Sequence, residues 1–128
     1  MSIGTATREV ALGLAAAMEN HDSNAVRKCY APDMRFWLNI FQVELSGEEH
    51  IRLMEKLYFP HYLNPKYIRT RIDLIEGGYV QQHILTARLA DNGSDVYMPI
   101  CAVGRVRDGL ITRIDEYVTM APGKLPEL

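Results

Sequence analysis

The sequence predicts an α+β fold in which helices come first and pack on one face of a curved antiparallel sheet. Apolar residues recur at three- and four-residue spacing in the first third of the chain, whereas aromatic and β-branched runs separated by glycine turns fill the second half. Hydrophobic residues make up 48% of the 128 residues and charged residues 23%, the balance of a globular protein with a core. We therefore expect one domain over residues 1–128, with a pocket between the sheet and the helices.

Two helices are predicted before the first strand. Leu14 and Met18 belong to an apolar stripe that predicts a helix over residues 5–20. The polar run at residues 21–24 breaks this pattern and offers N-caps for the next helix. A short second helix is therefore predicted over residues 25–30.

A strand and a third helix follow. Residues 34–41 are rich in aromatic and branched side chains, which favour a strand that runs into a loop. Ser46 and Glu49 form a capping box, in which each side chain satisfies the other residue's exposed amide. A third helix is therefore predicted from Ser46 through about Tyr58, where Pro60 stops it.

Four strands are predicted in the second half, over residues 69–75, 79–89, 96–106 and 110–118. The turns between them contain Gly77-Gly78, Asn92-Gly93 and Asp108-Gly109. Each pair holds residues that tolerate positive φ, the backbone conformation that tight hairpins require. The four strands are therefore expected to form an antiparallel meander.

The charge balance and the cysteine count exclude several classes of protein. Fourteen basic against sixteen acidic residues leave a formal net charge of -2, without the basic excess of a nucleic-acid-binding protein. Cys29 and Cys101 are too few for a disulfide scaffold and suit a reducing compartment. No run approaches the ~20 apolar residues of a membrane span. We expect a cytoplasmic protein with neither a nucleic acid nor a membrane as its partner.

The sequence indicates neither a metal nor a cofactor. His50, His61 and His83 lack the spacing of metal ligands. The glycines lack the strand-to-helix context of a phosphate-binding loop. Neither cysteine has a visible partner base, so a thiol nucleophile is not expected. Any chemistry is therefore expected from ordinary side chains.

Glu116 and His83 are the ionisable residues expected on the inner faces of their strands. Glu116 lies on the more apolar face of the last strand, and His83 shares its face with Leu85. Burial of an unpaired carboxylate raises its pKa toward the range in which a general acid or base works at neutral pH. His83 across one strand would be its proton partner. The alternative is structural, with Glu116 at a solvated rim and His83 hydrogen-bonded in the core.

The strand register decides whether Glu116 or Asp115 is the inward acid. If both hairpins have two-residue turns, His83 lies opposite Ala102 and shares a face with Asp115. A three-residue turn that ends in a left-handed glycine shifts one ladder by a residue and turns Glu116 inward. The apolar alternation of the last strand favours the shifted register. Glu116 is therefore the first catalytic candidate, and Asp115 is the second.

Apolar side chains are expected to form the walls of the pocket. They are Met18 from the first helix, together with Phe36, Trp37, Leu38, Val103 and Ile114 from the strands. Tyr58 belongs to an aromatic segment around Pro60 that either covers the cavity mouth, with its hydroxyl as a donor to a ligand, or simply packs. A small apolar ligand is the expected partner.

Three stretches of the chain carry a resemblance to a known superfamily. They are residues 24–33 (NAVRKCYAPD), 46–51 (SGEEHI) and 108–118 (DGLITRIDEYV). In this order and spacing they resemble the nuclear transport factor 2-like superfamily and, within it, the SnoaL-like branch. The resemblance implies a cone-shaped, cystatin-like α+β barrel with an apolar cavity, often homodimeric through the outer surface of the sheet.

Residue-by-residue matching separates this chain from two activities of the superfamily. Where ketosteroid isomerases carry a tyrosine, a general-base aspartate and an oxyanion-hole aspartic acid, this chain has Leu14, Leu38 and Cys101. Where limonene epoxide hydrolases carry an Asp-Arg-Asp set with a tyrosine and an asparagine, it has Glu116, His83 and Leu85 with Phe36 and, after a one-residue slip, Asn39. The resemblance thus places Cys101 at the ligand and keeps one carboxylate.

The resemblance and the strand faces lead to the same acid. SnoaL-like cyclases and their phenazine-biosynthesis relatives keep an acidic residue in the last strand, and Glu116 falls on or next to that position. We expect a cofactor-independent acid/base enzyme: an isomerase, cyclase or lyase/dehydratase that acts on a small apolar carbonyl or aromatic substrate. The alternative is a non-catalytic small-ligand-binding or dimerisation module, in which Glu116 and His83 form a fixed structural pair.

Overall fold

The computed structural model describes residues 2–127, and helices come first in the chain, as predicted. Helix α1 spans Ile3–Glu19, α2 spans Ser23–Cys29, and α3 spans Gly47–Leu53 and continues as a π-helical turn at Met54–Tyr58. Strands β1 (Tyr30–Leu38) and β2 (Val43–Ser46) lie between α2 and α3. The remaining strands are β3 (Tyr62–Ile75), β4 (Gly78–Leu89), β5 (Asp95–Arg107), β6 (Leu110–Val118) and β7 (Ala121–Pro122). The α+β fold class is confirmed.

The strands form one curved, unclosed sheet in the order β2-β1-β6-β5-β4-β3. The short β7 pairs with β5 beyond the end of β6. All pairings are antiparallel except that of β1 with β6, which run parallel. The expectation of an antiparallel sheet is therefore corrected to a mixed sheet. Parallel neighbours need a long connection, and α3 with the intervening strands supplies it.

Side-chain caps fix where the helices begin. The Ser2 hydroxyl accepts a hydrogen bond from an amide in the first turn of α1, and the Asp22 carboxylate does the same for α2. At α3 the predicted capping box is present: the Ser46 hydroxyl accepts from the Glu49 amide at 3.1 Å, and the Glu49 carboxylate accepts from the Ser46 amide at 2.8 Å. The polar residues at these positions therefore set the helix boundaries.

The main core ties the helices to the inner face of the sheet. Val26 of α2, Met34 of β1, Ile51 of α3, and Ile111 and Ile114 of β6 each expose no more than 2% of their surface. Burying such a side chain stabilises the fold by about 1.5–3 kcal/mol relative to leaving it in water. This packing holds α2, α3, β1 and β6 in fixed relative positions.

Four strands differ from the predictions. β1 spans Tyr30–Leu38 instead of residues 34–41, β2 and β7 are additional strands, and β3 begins at Tyr62 instead of residue 69. β3 lies at the edge of the sheet, where Pro65 is tolerated, and its pairing with β4 is interrupted twice. Asn64 and Arg69 have positive φ values of 51° and 54° at these interruptions. The local sequence is therefore typical of a loop, although the segment pairs with β4.

A β-bulge at Thr112 sets which face of β6 is inside. Arg107 pairs with Leu110 across a two-residue turn, but after Thr112 the ladder with β5 has shifted by one residue. The Thr112 hydroxyl donates a hydrogen bond to the Arg105 carbonyl oxygen at 3.3 Å. Because the bulge adds one residue to β6, Ile111 and Ile114 both face inward. The register shift lies within the strand, and the expectation of a three-residue turn is corrected.

The β4–β5 hairpin also departs from a two-residue turn. Arg88 pairs with Asp95, and a longer loop connects the two strands. His83 consequently lies opposite Ile100 instead of Ala102. Because this displacement is two residues, side chains on β4 keep their expected faces.

Candidate functional site

A cavity of about 320 Å³ lies between the helices and the inner face of the sheet. Helix α1 forms one part of its wall, and α3 with the π-helical turn forms another. Five of the predicted wall residues line it, namely Met18, Phe36, Leu38, Tyr58 and Ile114. Further apolar wall residues include Leu85, Met98 and Ile100. The cavity is therefore mainly apolar, with a few polar groups, which is the usual composition of a small-molecule site.

Among residues 2–127, Glu116 is the one acidic side chain that lines this cavity. In one row across the sheet, Gln81, Ala102, Glu116 and Leu38 stand side by side on β4, β5, β6 and β1. Glu116 retains some accessible surface because it borders the cavity space, yet it lies deep in the protein. Burial raises the pKa of Glu116 to about 7. This carboxyl group can therefore both accept and release a proton near neutral pH.

Several tyrosines line the same cavity as Glu116. Burial raises the pKa of Tyr30, Tyr58, Tyr67 and Tyr79, and the negative charge of Glu116 adds to the rise in each. All four side chains line the cavity. Their phenol groups stay neutral and can donate hydrogen bonds at physiological pH. The polar part of the cavity thus combines one titratable acid with neutral donors.

Tyr58 has a buried hydroxyl without a hydrogen-bond partner among residues 2–127. The π-helical turn that follows α3 places Tyr58 on the cavity wall, and its ring packs against Tyr62 with 5.2 Å between the ring centroids. An unsatisfied buried hydroxyl costs on the order of 1–3 kcal/mol. A polar atom of a ligand would remove this cost.

His83 is buried on the same face as Glu116, but it is bonded to a different residue. The amide nitrogen of Gln81 lies 3.2 Å from its Nδ1 atom, and Tyr67 stacks on the imidazole with 4.2 Å between the ring centroids. Burial lowers the pKa of His83 to about 4. The imidazole is therefore neutral at pH 7. The expected contact between His83 and Glu116 is absent from the hydrogen bonds that the described residues make.

His50 is a second buried histidine, for which the sequence spacing addresses only a role as a metal ligand. The Tyr30 hydroxyl lies 2.8 Å from its Nδ1 atom, and Phe36 stacks on the ring at 3.6 Å between centroids. Burial lowers the pKa of His50 to about 3. A signal was available, because His50 shares an apolar helical stripe with Met54 and Leu57. His50 is therefore a neutral part of the cavity wall.

Four predicted site residues lie on the outer face of the sheet. They are Asp115, Trp37, Cys101 and Val103, and none of them lines the cavity. Asp115 instead accepts hydrogen bonds from the Arg113 guanidinium at 2.9 and 3.0 Å. The expectation that these residues face the ligand is corrected, because strict alternation after the bulge turns odd-numbered side chains of β5 and β6 outward.

The side chain of Asn39 links two strands by hydrogen bonds. Its side-chain nitrogen donates to the Val118 carbonyl oxygen at 3.1 Å, and its side-chain oxygen accepts from the Val118 amide at 2.9 Å. Both polar atoms of the side chain thus tie the end of β1 to β6. Asn39 is therefore engaged by the backbone.

Exposed apolar side chains line part of the cavity. Ile40, Phe41, Leu57 and Met120 all border it and expose between 44% and 59% of their surface. They come from the segments after β1 and β6 and from the π-helical turn. Side chains that touch both solvent and the cavity mark its mouth, so the entrance is apolar.

Among residues 2–127, no three His, Cys, Asp or Glu side chains come together as candidate metal ligands. Within the same range, no helix has both the length and the apolar character needed to cross a membrane.

Comparison with known proteins identifies a family and several structures that share this fold. The model of the SnoaL-like domain matches residues 11–114. A proposed isomerase from Bacillus subtilis superimposes with a TM-score of 0.82 at 12% identity, over 93% of this chain and 90% of the other. An LEH-like epoxide hydrolase from M. tuberculosis superimposes with a TM-score of 0.73 at 18% identity, over 90% of this chain and 84% of the other. A proposed polyketide cyclase from Xanthomonas campestris superimposes with a TM-score of 0.73 at 18% identity, over 88% of this chain and 90% of the other. At such identities these structures share the fold alone, and no curated protein matches the sequence.

Proposed function

The chain belongs to the SnoaL-like family, and from this membership and the cavity we propose that it is a cofactor-independent acid/base enzyme. Its activity is that of an isomerase, a cyclase or a lyase/dehydratase. The substrate is a small, mostly apolar carbonyl or aromatic compound that enters through the apolar mouth. Glu116 is the catalytic residue.

The observation that carries this proposal is the position of Glu116. Among residues 2–127 it is the one acidic side chain that lines the apolar cavity, and burial raises its pKa to about 7. The carboxylate removes a proton from a carbon next to a carbonyl group, the C–H electron pair forms the C=C bond of an enolate, and the π pair of the C=O bond moves onto the oxygen. The carboxylic acid then returns the proton to a carbon of the enolate, and the C=O bond forms again. No co-reactant is consumed, and general acid/base catalysis of this kind contributes roughly 100- to 10,000-fold in rate.

The size and lining of the cavity support a small substrate. A volume of about 320 Å³ is at the lower end of the range of ligand pockets, roughly 300–1,000 Å³. Ala102 separates Gln81 from Glu116 with only a methyl group, which leaves room next to the carboxyl group. A compound with one or two rings and a single oxygen suits this space.

Proton exchange of β-tetralone, an apolar aromatic ketone, tests the proposal. In deuterated buffer, NMR measures how fast the protein replaces the hydrogens next to the carbonyl group. We expect exchange by the wild type, a loss of about 100-fold or more in Glu116→Gln, and little change in Asp115→Asn, the matched acid on the outer face. Equal exchange by Glu116→Gln and the wild type would refute a catalytic Glu116.

A second candidate function is ligand binding without catalysis. It is favoured by one observation: among residues 2–127, His83 is hydrogen-bonded to Gln81, and no proton relay reaches Glu116. In this case β-tetralone binds, which line broadening of its signals would detect, but the protein does not accelerate its exchange.

The proposal also includes a homodimer in the cytoplasm. The outer face of the sheet carries Trp37 and Tyr117, whose rings lie 5.2 Å apart between centroids, and Tyr117 is 52% exposed. Aromatic residues are enriched in protein interfaces. Cys29 and Cys101 are free thiols.

A further inference from the structure

Gln81 and His83 form an isolated polar pair on the wall of the cavity. The two residues are neighbours on the inner face of β4, and they expose only 5% and 6% of their surface. The side-chain nitrogen of Gln81 lies 3.2 Å from Nδ1 of His83. The other ring nitrogen, Nε2, is buried and has no partner among residues 2–127. The pair therefore presents one satisfied nitrogen and one unsatisfied nitrogen.

The hydrogen bond decides where the imidazole carries its proton. The amide nitrogen of Gln81 has donor hydrogens only, so Nδ1 of His83 must accept and must be unprotonated. In a neutral imidazole the proton then resides on Nε2. Which of the two ring nitrogens is protonated is set by the hydrogen bond that the other one makes.

The surroundings keep this imidazole neutral and in place. Burial holds the pKa of His83 at about 4, so that proton uptake does not compete at pH 7. The ring of Tyr67 covers one face of the imidazole, with an angle of 12° between the planes. The Nε2–H group is thus held in place without a partner among the described residues, and an unsatisfied buried donor is costly until an acceptor arrives.

We propose that Gln81 is a positioning residue that holds His83 in its Nε2-protonated tautomer, so that the imidazole donates a hydrogen bond to an acceptor oxygen of the cavity ligand. The ligand part of this inference rests on the proposed function, and it defines the substrate class as compounds with a carbonyl or similar acceptor oxygen. His83 is then a fixed donor and does not exchange protons with Glu116. This assignment differs from the proton-sharing pair that the sequence suggests.

Nitrogen NMR of isotope-labelled histidine tests the tautomer without any activity measurement. In the wild type we expect a protonated Nε2 and an unprotonated Nδ1 for His83 at pH 7. In Gln81→Met, which keeps the length of the side chain but has no donor, we expect a mixture of both tautomers. In Gln81→Glu the carboxylate accepts from Nδ1, and we expect the proton to appear there. A wild-type His83 with its proton on Nδ1 overturns the proposal, as does a tautomer that is the same in all three proteins.

His50 supplies an internal control in the same spectra. Its Nδ1 atom is bonded to Tyr30 rather than to Gln81, so that its signals should not change in the Gln81 variants. If the His50 signals change to the same extent as those of His83, the variants act through a general loosening of the fold and the positioning role of Gln81 is refuted. The wild-type spectrum alone remains decisive if either variant fails to fold.

The ligand part is tested with two compounds of the same shape. β-Tetralone carries an acceptor oxygen, whereas tetralin does not. We expect β-tetralone to shift the Nε2 and Nε2–H signals of His83 and tetralin to leave them nearly unchanged. Equal shifts with both compounds, or none with β-tetralone, refute the donor role. A fixed tautomer together with absent proton exchange would refute the proposed enzyme while leaving the role of Gln81 in place.

Discussion

At the scale of single residues, the burial of Glu116 gives its carboxyl group the pKa of a general acid or base but lowers the stability of the protein at neutral pH. Its carboxyl group occupies a position on the sheet whose neighbours on both adjacent strands are apolar, Ala102 and Leu38. Burial there favours the neutral form, which raises the pKa to about 7 from the ordinary value of 4.5. The folded protein therefore binds more protons than the unfolded chain between these two pH values.

Glu116→Gln should consequently stabilise the protein at neutral pH. Because the wild-type pKa is raised in the folded state, the contribution of Glu116 to stability is fully present below pH 4.5 and is lost as the pH rises to about 7. The difference in unfolding free energy between variant and wild type should grow across this window, toward an upper limit of about 3 kcal/mol. Urea unfolding at several pH values measures it. A difference that is independent of pH would contradict a desolvated Glu116.

At the scale of elements, alternation along β5 separates cavity-lining side chains from side chains on the outer face. Ala102 faces the cavity beside Glu116, whereas Val103 lies opposite Asp115 on the outer face. The two residues are adjacent in sequence and similar in chemistry. They are therefore a matched pair for testing what the cavity binds.

Ala102→Leu should fill space in the cavity, whereas Val103→Leu should not. Binding of the aromatic alcohol β-naphthol, measured by its fluorescence, should weaken about 10-fold or more in Ala102→Leu, since a lost contact of 1.4 kcal/mol corresponds to a factor of ten. Val103→Leu should bind as the wild type does. Equal affinity of the two variants would show that the ligand lies elsewhere.

The capping box of α3 is a second element-scale feature with a measurable effect. Ser46→Ala removes the hydroxyl that accepts from the Glu49 amide and should lower the unfolding free energy by about 1 kcal/mol in urea titrations. Ser94, which is exposed in the β4–β5 loop, is the control: Ser94→Ala should change stability by less than about 0.5 kcal/mol. Similar losses in both variants would mean that the cap is not formed in solution.

At the scale of the whole molecule, the two faces of the sheet have different tasks. The inner face lines the cavity, while the outer face carries Trp37 and Tyr117 and is the interface of the proposed homodimer. Tyr117→Glu should shift the protein from dimer to monomer in analytical ultracentrifugation, because a buried unpaired charge is costly at an interface. Leu12→Glu, at a 48% exposed position of α1, should leave the dimer intact. A dimer that survives Tyr117→Glu would locate the interface elsewhere.

Local sequence signals predict much of the fold, but which side chains of a strand face the cavity depends on how that strand pairs with its neighbours. The Ser46 cap and the Asp108-Gly109 turn depend only on residues next to them in the chain, and the sequence predicts the positions of both correctly. Trp37 and Val103 are typical of strands on either face, so that their outward direction follows only from the register. The alternation of β4 places Gln81 on the same face as His83, but the contact of Gln81 with Nδ1 depends on side-chain rotamers that the sequence pattern does not predict.

The bulge at Thr112 has a consequence for how such a site changes in evolution. Two acids stand next to each other in β6, and the extra residue of the bulge decides which of them meets the cavity. If Thr112 were paired in an unbroken ladder from Arg107 and Leu110, Asp115 would lie opposite Ala102 and Glu116 would turn to the surface. Deleting the codon of Thr112 removes the extra residue together with the bulge, so that Glu116 stays opposite Ala102 and Asp115 stays on the outer face. The strand can thus lose a residue at this point in evolution without exchanging the acid that the cavity holds.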